Sequence, residues 1–313
     1  MFIVLPIALG FFLIWYSLSK LQPEDIVDIK HSFKTANYFW VALSLFLGGL
    51  SHVSRAIRWQ YMLTPMGYTP KFVNRILSVF VSYFLNLTIP RSGEIARATT
   101  ISKYEDIPFD KAFGTIVAER IADVIMLLLI IFIAFLYQAD LIKEKLFSEN
   151  SNPTKKLLIL GGIILVFWLL YKYLSKSKNK VVLKIKGFIN GLKEGVLSIF
   201  KMEKKGAFIF HTLFIWTMYV LMFYVVTFAI PETKNLPFEA TIVGFVIGAI
   251  SMALTNGGLG VYPAFVAGVL TLYHVSENAA LAFGWIMWTA QTVLIIISGG
   301  LSLLFLPLIN KDN

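Results

Sequence analysis

The chain of 313 residues contains no cysteine. This excludes a disulfide framework, thiol catalysis and cysteine-held metal, and leaves the compartment open. Histidine is nearly as scarce: His31, His52, His211 and His274 are scattered without metal-ligand spacing and read as packed or interfacial residues. Charged residues make up only 15%, where a soluble domain carries about a quarter. No Walker loop, no His-Glu-x-x-His and no Gly-x-Gly-x-x-Gly after a strand occurs, so ATP-driven work by this chain alone is not expected.

What is present is apolar. Hydrophobic residues reach 57% and the mean hydropathy is +0.73. They come in blocks that reach or approach the roughly 20 residues a helix needs to cross the hydrocarbon core. The blocks fall at about 2–19, 37–54, 72–89, 113–137, 157–174, 207–230, 240–255, 262–274 and 279–306. The first lacks a basic leader and a small-residue cleavage site, so it reads as a retained span. The expected fold is all-α: a polytopic helical membrane protein forming a single transmembrane domain over 1–313.

Residues 175–206 stand apart. Nine lysines oppose Glu194 and Glu203, while Val181, Val182, Ile185, Phe188, Ile189, Leu192, Val196 and Ile199 recur at helical spacing. The pattern predicts a basic amphipathic helix on an anionic cytoplasmic leaflet, with a solvated loop as the alternative. Either way the positive-inside rule places the segment in the cytoplasm, and the expected location of the chain is the cell inner membrane.

Two hydrophobic segments are interrupted. One runs into Asn86-Leu87-Thr88-Ile89-Pro90-Arg91-Ser92-Gly93-Glu94, the other into Ala253-Leu254-Thr255-Asn256-Gly257-Gly258-Leu259-Gly260. Ala112-Phe113-Gly114 follows the first and Ala282-Phe283-Gly284 the second, 24 and 27 residues beyond Thr88 and Thr255. Breaks at matching places in two halves mark transporter binding sites built from inverted repeats. The expected layout is six full spans plus two re-entrant or broken segments, with repeat-like halves at 37–137 and 207–306. Charge counting slightly favours re-entry of 72–97 and 240–274 over full crossing, and both layouts stay open.

Three clusters can carry chemistry. Glu119, Arg120 and Asp123 lie in an otherwise apolar span, where charge is expensive and tends to face a bundle interior or wet cavity. They read as the lining of a substrate path or as an ion cluster that fixes packing. Pro90 breaks the helix, Gly93 permits a turn, and a restarted helix would turn its free N–H groups towards an anion. Arg91, Glu94 and Arg97 surround that point, and Arg91 suits phosphate or carboxylate. Asn256, Gly257 and Gly258 expose backbone for ligand approach or for close packing. Arg55 and Arg58, followed by Trp59 and Tyr61, read as a cytoplasmic anchor, with headgroup recognition by Arg58 as the alternative.

In this order, Pro90-Arg91-Ser92-Gly93-Glu94, Glu119-Arg120-x-x-Asp123 and Gly257-Gly258-Leu259-Gly260 resemble the lysylphosphatidylglycerol synthase transmembrane-region family. The resemblance spans roughly 5–305. It implies a lipid-translocating or lipid-binding domain, with Arg58, Arg91, Glu94, Arg97, Glu119, Arg120, Asp123, Asn256, Gly257, Gly258 and Tyr262 as substrate-binding residues. Family members often have Pro before the paired glycines and a charged residue where Tyr262 stands; this chain has Asn256 and Tyr262 there. No catalytic residue, metal or cofactor is expected. The expected function is translocation of an anionic phospholipid, an aminoacylated phospholipid or a polyprenyl-phosphate-linked lipid. The alternatives are a membrane-embedded enzyme acting on headgroups and a non-transporting partner of a lipid or glycan synthase. Expected partners are membrane lipids, with a homodimer or a separate lipid-modifying synthase as further candidates and no nucleic acid.

Overall fold

The computed structural model describes residues 19, 22–89, 92–137 and 202–311. The expected spans 2–19 and 157–174 and most of the basic segment 175–206 therefore lie outside the described residues. Within them the chain is helical, and no strand occurs. The helices are α1 (Pro23–Thr35), α2 (Tyr38–Leu63), α3 (Phe72–Thr88), α4 (Ser92–Glu105), α5 (Phe109–Tyr137), α6 (Lys205–Val226), α7 (Phe238–Leu254), α8 (Val261–Leu272) and α9 (Glu277–Ile309). Four long apolar helical stretches, Tyr38–Met66, Phe109–Tyr137, Lys205–Ala229 and Glu277–Ile309, are long and apolar enough to cross a membrane. The chain is thus a multi-pass helical membrane protein.

The second span is longer than its apolar run implied. Expected to end near 54, α2 continues to Leu63 because Ser51, Ser54, Arg55 and Arg58 are buried against other helices rather than delivered to the interface. Neighbouring α6 runs antiparallel to it. Ser54 meets His211 Nδ1 at 2.8 Å, Arg58 reaches Thr212, and at the other end the Asn37 N–H donates to Ala229 O.

The interrupted segments fold as two hairpins. At the base of α3/α4, the Glu105 carboxylate accepts from the Lys71 N–H at 3.0 Å and from Asn74 at 2.6 Å. Near its tip, the Gly93 N–H donates to Asn86 Oδ1 at 2.9 Å, and Ser92 Oγ donates to the Ile89 carbonyl at 2.8 Å. A Cβ on Gly93 would collide with the Ser82 carbonyl, so only glycine lets these two helices approach this closely. In α7/α8 the same closeness comes from Gly248, against which the Tyr262 ring packs, and from Gly258 beside Met252.

Helix α9 fixes where each hairpin sits. Gly284 packs on Pro263 and the Trp288 indole donates to the Gly257 carbonyl at 2.7 Å, so the α7/α8 tip lies against the N-terminal third of α9. Gly299 packs on Phe84, and Asn310 exchanges two hydrogen bonds with Asn74, at 2.8 and 2.9 Å. At 1.5 Å per residue, Trp288 and Asn310 are about 33 Å apart along the helix. The bases of the hairpins therefore lie towards opposite ends of α9, and their tips meet between, where Gly257 abuts Leu87.

Candidate functional site

The acidic residues of α5 turn inward on one face. Glu119 and Asp123, four apart, are both buried, and both are met by arginines of α2. Arg55 Nη1 lies 2.6 Å from Glu119 Oε1 and 2.7 Å from Asp123 Oδ2. Arg58 Nη2 lies 2.8 Å from Glu119 Oε1 and 3.0 Å from Asp123 Oδ1, while its Nη1 donates to Thr212. Arg97 of α4 reaches Glu119 Oε2 at 3.0 Å and lies 3.9 Å over the Trp59 ring, whose indole donates to Thr115. Arg120 joins Glu94 at 3.1 Å and Asp123 at 3.6 Å. Four guanidiniums thus face three carboxylates. Since arginine stays protonated, the cluster carries one positive charge beyond neutrality when its acids are ionised.

The network borders a cavity of about 390 Å³ lined by residues of α2, α3 and α5–α9. Arg55, Arg120 and Asp123 face it on one side, with His52, Tyr83, Trp216 and Tyr219 beside them. Arg55 Nη2 donates to the Tyr219 hydroxyl at 3.3 Å, and that hydroxyl lies 3.2 Å from Tyr83's. Much of the remaining wall is apolar, including Met222, Met252 and Met287. Methionine's flexible thioether lets such a wall repack around different shapes.

The expected site residues divide three ways. Arg120, Asp123 and Tyr262 line the cavity; Glu119 stands behind it as the acceptor of three arginines; Glu94 pairs with Arg120. Arg58 and Arg97 are fully buried among their partners rather than open to a headgroup. The interfacial-anchor reading of Arg55 and Arg58 is therefore corrected: ion pairing inside the bundle outweighs snorkelling once two carboxylates wait there. Asn256, Gly257 and Gly258 form one 3-10 turn at the hairpin tip, where Gly257 and Gly258 have φ of +60° and +75°. The restarted helix at Ser92 does not offer all its N–H groups outward, since Asn86 takes that of Gly93. Arg91 lies outside the described residues.

Sequence reasoning missed Arg55, His52, Tyr83, Trp216 and Tyr219 as parts of one site. A signal for α2 existed. Ser44, Gly48, Ser51, Arg55 and Arg58 recur at spacings of four and three, a small and polar stripe in an apolar helix, and all five are buried. The aromatic residues carry no such mark, because only tertiary packing brings their polar atoms to one wall. Among the described residues no group of His, Asp and Glu is arranged to hold a metal ion.

An opposed-hairpin helical membrane protein with an arginine–carboxylate network beside a central cavity is the class defined by this geometry. The chain belongs to the lysylphosphatidylglycerol synthase transmembrane-region family, whose profile matches residues 3–299. It is similar to the UPF0104 membrane protein MJ1595 of Methanocaldococcus jannaschii, 28% identical over 60% of this chain and 63% of that protein. It is also similar to the UPF0104 membrane protein PH1989 of Pyrococcus horikoshii, 30% identical over 47% of this chain and 43% of that one. A stretch of 106 residues, 34% of this chain, is 26% identical to 16% of the glycosyltransferase AglD of Haloferax volcanii. The chain thus spans less than two thirds of the length of these curated relatives. No solved structure matches it.

Proposed function

We propose that this chain binds the anionic headgroup of a membrane lipid in the central cavity and moves it between leaflets, in the cytoplasmic membrane, with residues 175–206 on the cytoplasmic side. The observation that carries the reading is the charge facing the cavity. Arg55 and Arg120 line it with Asp123, in a network whose four guanidiniums exceed its three carboxylates by one charge, and much of the remaining wall is apolar. Away from bulk water a net positive charge attracts an anion far more strongly than it would in water. The two hairpin tips touch at Leu87 and Gly257, and tilting of one hairpin against the other is the proposed route between leaflets. The lipid tails remain in the bilayer.

Glu119 and Asp123 are both engaged by guanidiniums, so neither stands free as a general base, which favours transport over headgroup chemistry. Where the lipid is a modified one, a separate synthase is the proposed supplier.

Reconstitution into liposomes tests the proposal. Wild-type protein should accelerate transbilayer movement of a labelled anionic phospholipid or polyprenyl phosphate. Arg120→Gln should slow it by about tenfold, the weight of one charge-assisted hydrogen bond. No acceleration of any such lipid would sink the reading.

A further inference from the structure

Beside the arginines, the residues of the cavity wall carry hydrogen-bonding groups that nothing among the described residues uses. His52 and Trp216, both more than nine-tenths buried, line the space. His52 Nδ1 and Trp216 Nε1 have no hydrogen-bond partner among the described residues. A buried polar atom left unpaired costs on the order of 1–3 kcal/mol, so two on one cavity point to a ligand that pairs them. They sit at the two ends of a continuous aromatic wall. His52 packs on Tyr83 with ring centroids 4.5 Å apart, Tyr83 meets Tyr219 hydroxyl to hydroxyl at 3.2 Å, and Tyr219 packs edge-on against Trp216 at 5.9 Å. Gln291 of α9 adds an amide that both gives and accepts.

None of these groups is charged at neutral pH in its ordinary form, and only one of them, the Tyr219 hydroxyl, touches the arginine network. The wall therefore complements something different from an anion: a neutral group rich in oxygen, with an apolar face for the rings and hydroxyls for the polar edges. An acyl chain would leave the His52 and Trp216 nitrogens unpaired. A phosphate would be drawn to Arg55 and Arg120 instead.

We propose that His52, Trp216 and the tyrosines between them form a second subsite that takes a sugar ring linked through a phosphodiester to the lipid, while Arg55 and Arg120 take the phosphate. The inference rests on the anionic-lipid reading above and names the substrate class that the same cavity would select. The ring lies against the aromatic wall, its hydroxyls accept from Trp216 Nε1 and pair with His52 Nδ1, and its phosphodiester meets the guanidiniums.

Binding to the purified full-length chain in detergent tests this apart from transport. Three probes share one ten-carbon isoprenyl tail and one negative charge: the methyl, glyceryl and glucosyl phosphodiesters. The glucosyl probe should bind about tenfold more tightly than the methyl one, the weight of one or two net hydrogen bonds. The glyceryl probe should fall between them. In Trp216→Phe, which keeps a ring and removes the donor, and in His52→Phe, the glucosyl-to-methyl ratio should fall towards one. A thermal unfolding transition in each variant identifies folded protein, and either folded variant suffices. Equal affinity for all three probes overturns the sugar subsite alone. A glyceryl probe that binds as well as the glucosyl one overturns the ring assignment. Wild-type protein that binds none of the three overturns both this inference and the reading beneath it.

Discussion

Glu119 is the residue on which the most charge depends. Three arginines from two helices point at its carboxylate, and two of those arginines are shared with Asp123. Removing one partner of a buried ion pair costs about 3–5 kcal/mol, because the charges left behind remain desolvated. Glu119→Gln should therefore lower the thermal unfolding midpoint in detergent sharply. Arg120→Gln should barely move it. The Arg120 side chain is 36% exposed towards the cavity, and without it Asp123 still keeps Arg55 and Arg58 as partners. Loss of function without loss of stability at Arg120, with the reverse order of effects on stability at Glu119, would separate the working charge from the structural one. Equal destabilisation by both substitutions would show that the network is a single structural unit.

At the scale of the element, glycine decides how closely the helices approach. A methyl group on Gly93 would strike the Ser82 carbonyl and the Asn86 amide, whereas one on Gly300 meets nothing within 4 Å. Overpacking costs about 1–3 kcal/mol. Gly93→Ala should therefore destabilise the protein and loosen α3/α4, read as faster hydrogen exchange at residues 82–93, while Gly300→Ala should be neutral or slightly stabilising. The second element-scale prediction concerns α1. Its Asp25 accepts hydrogen bonds from Asn278 of α9 at 3.0 Å and from the Gln22 N–H at 2.8 Å, and these hold its carboxyl below the ordinary carboxylate range. A carboxylate whose pKa is depressed by folding contributes stability above its unfolded value, near 3.8, and loses it as pH falls through the lower folded value. Exchange protection of α1 should accordingly fall as the pH drops below about 4, and Asp25→Asn should flatten that dependence. An unchanged pH profile in the variant would remove Asp25 from the docking of α1.

For the whole molecule, the bases of the two hairpins lie towards opposite ends of α9, which predicts entry from opposite faces of the membrane. The absence of cysteine makes it directly measurable, since any introduced thiol is the sole one. Asp106, just past the base of α3/α4, and Glu277, at the start of α9 beyond α7/α8, sit at opposite ends of the bundle. With Asp106→Cys and Glu277→Cys in separate chains, a membrane-impermeant maleimide applied to intact cells should label the second and spare the first. The α6 end that follows the basic segment lies beside the C-terminal end of α2, so the proposed cytoplasmic position of 175–206 predicts the same side for Asp106. Labelling of both from one side would refute opposed entry.

Composition and the apolar blocks were enough to determine a multi-pass helical protein, because a chain this apolar has nowhere else to bury its surface. The breaks at Pro90 and at the glycines after Asn256 were equally legible, since backbone chemistry is local. So was the inward turn of Glu119 and Asp123, which follows from a four-residue spacing and the cost of charge in lipid. Where α2 ends was not legible: Arg55 and Arg58 looked like anchors until two carboxylates on another helix were brought against them. Nor could local pattern place His52, Tyr83, Tyr219 and Trp216, from three different helices, on one wall. Ion pairing and cavity lining are relations between distant segments, and only the tertiary structure decides them.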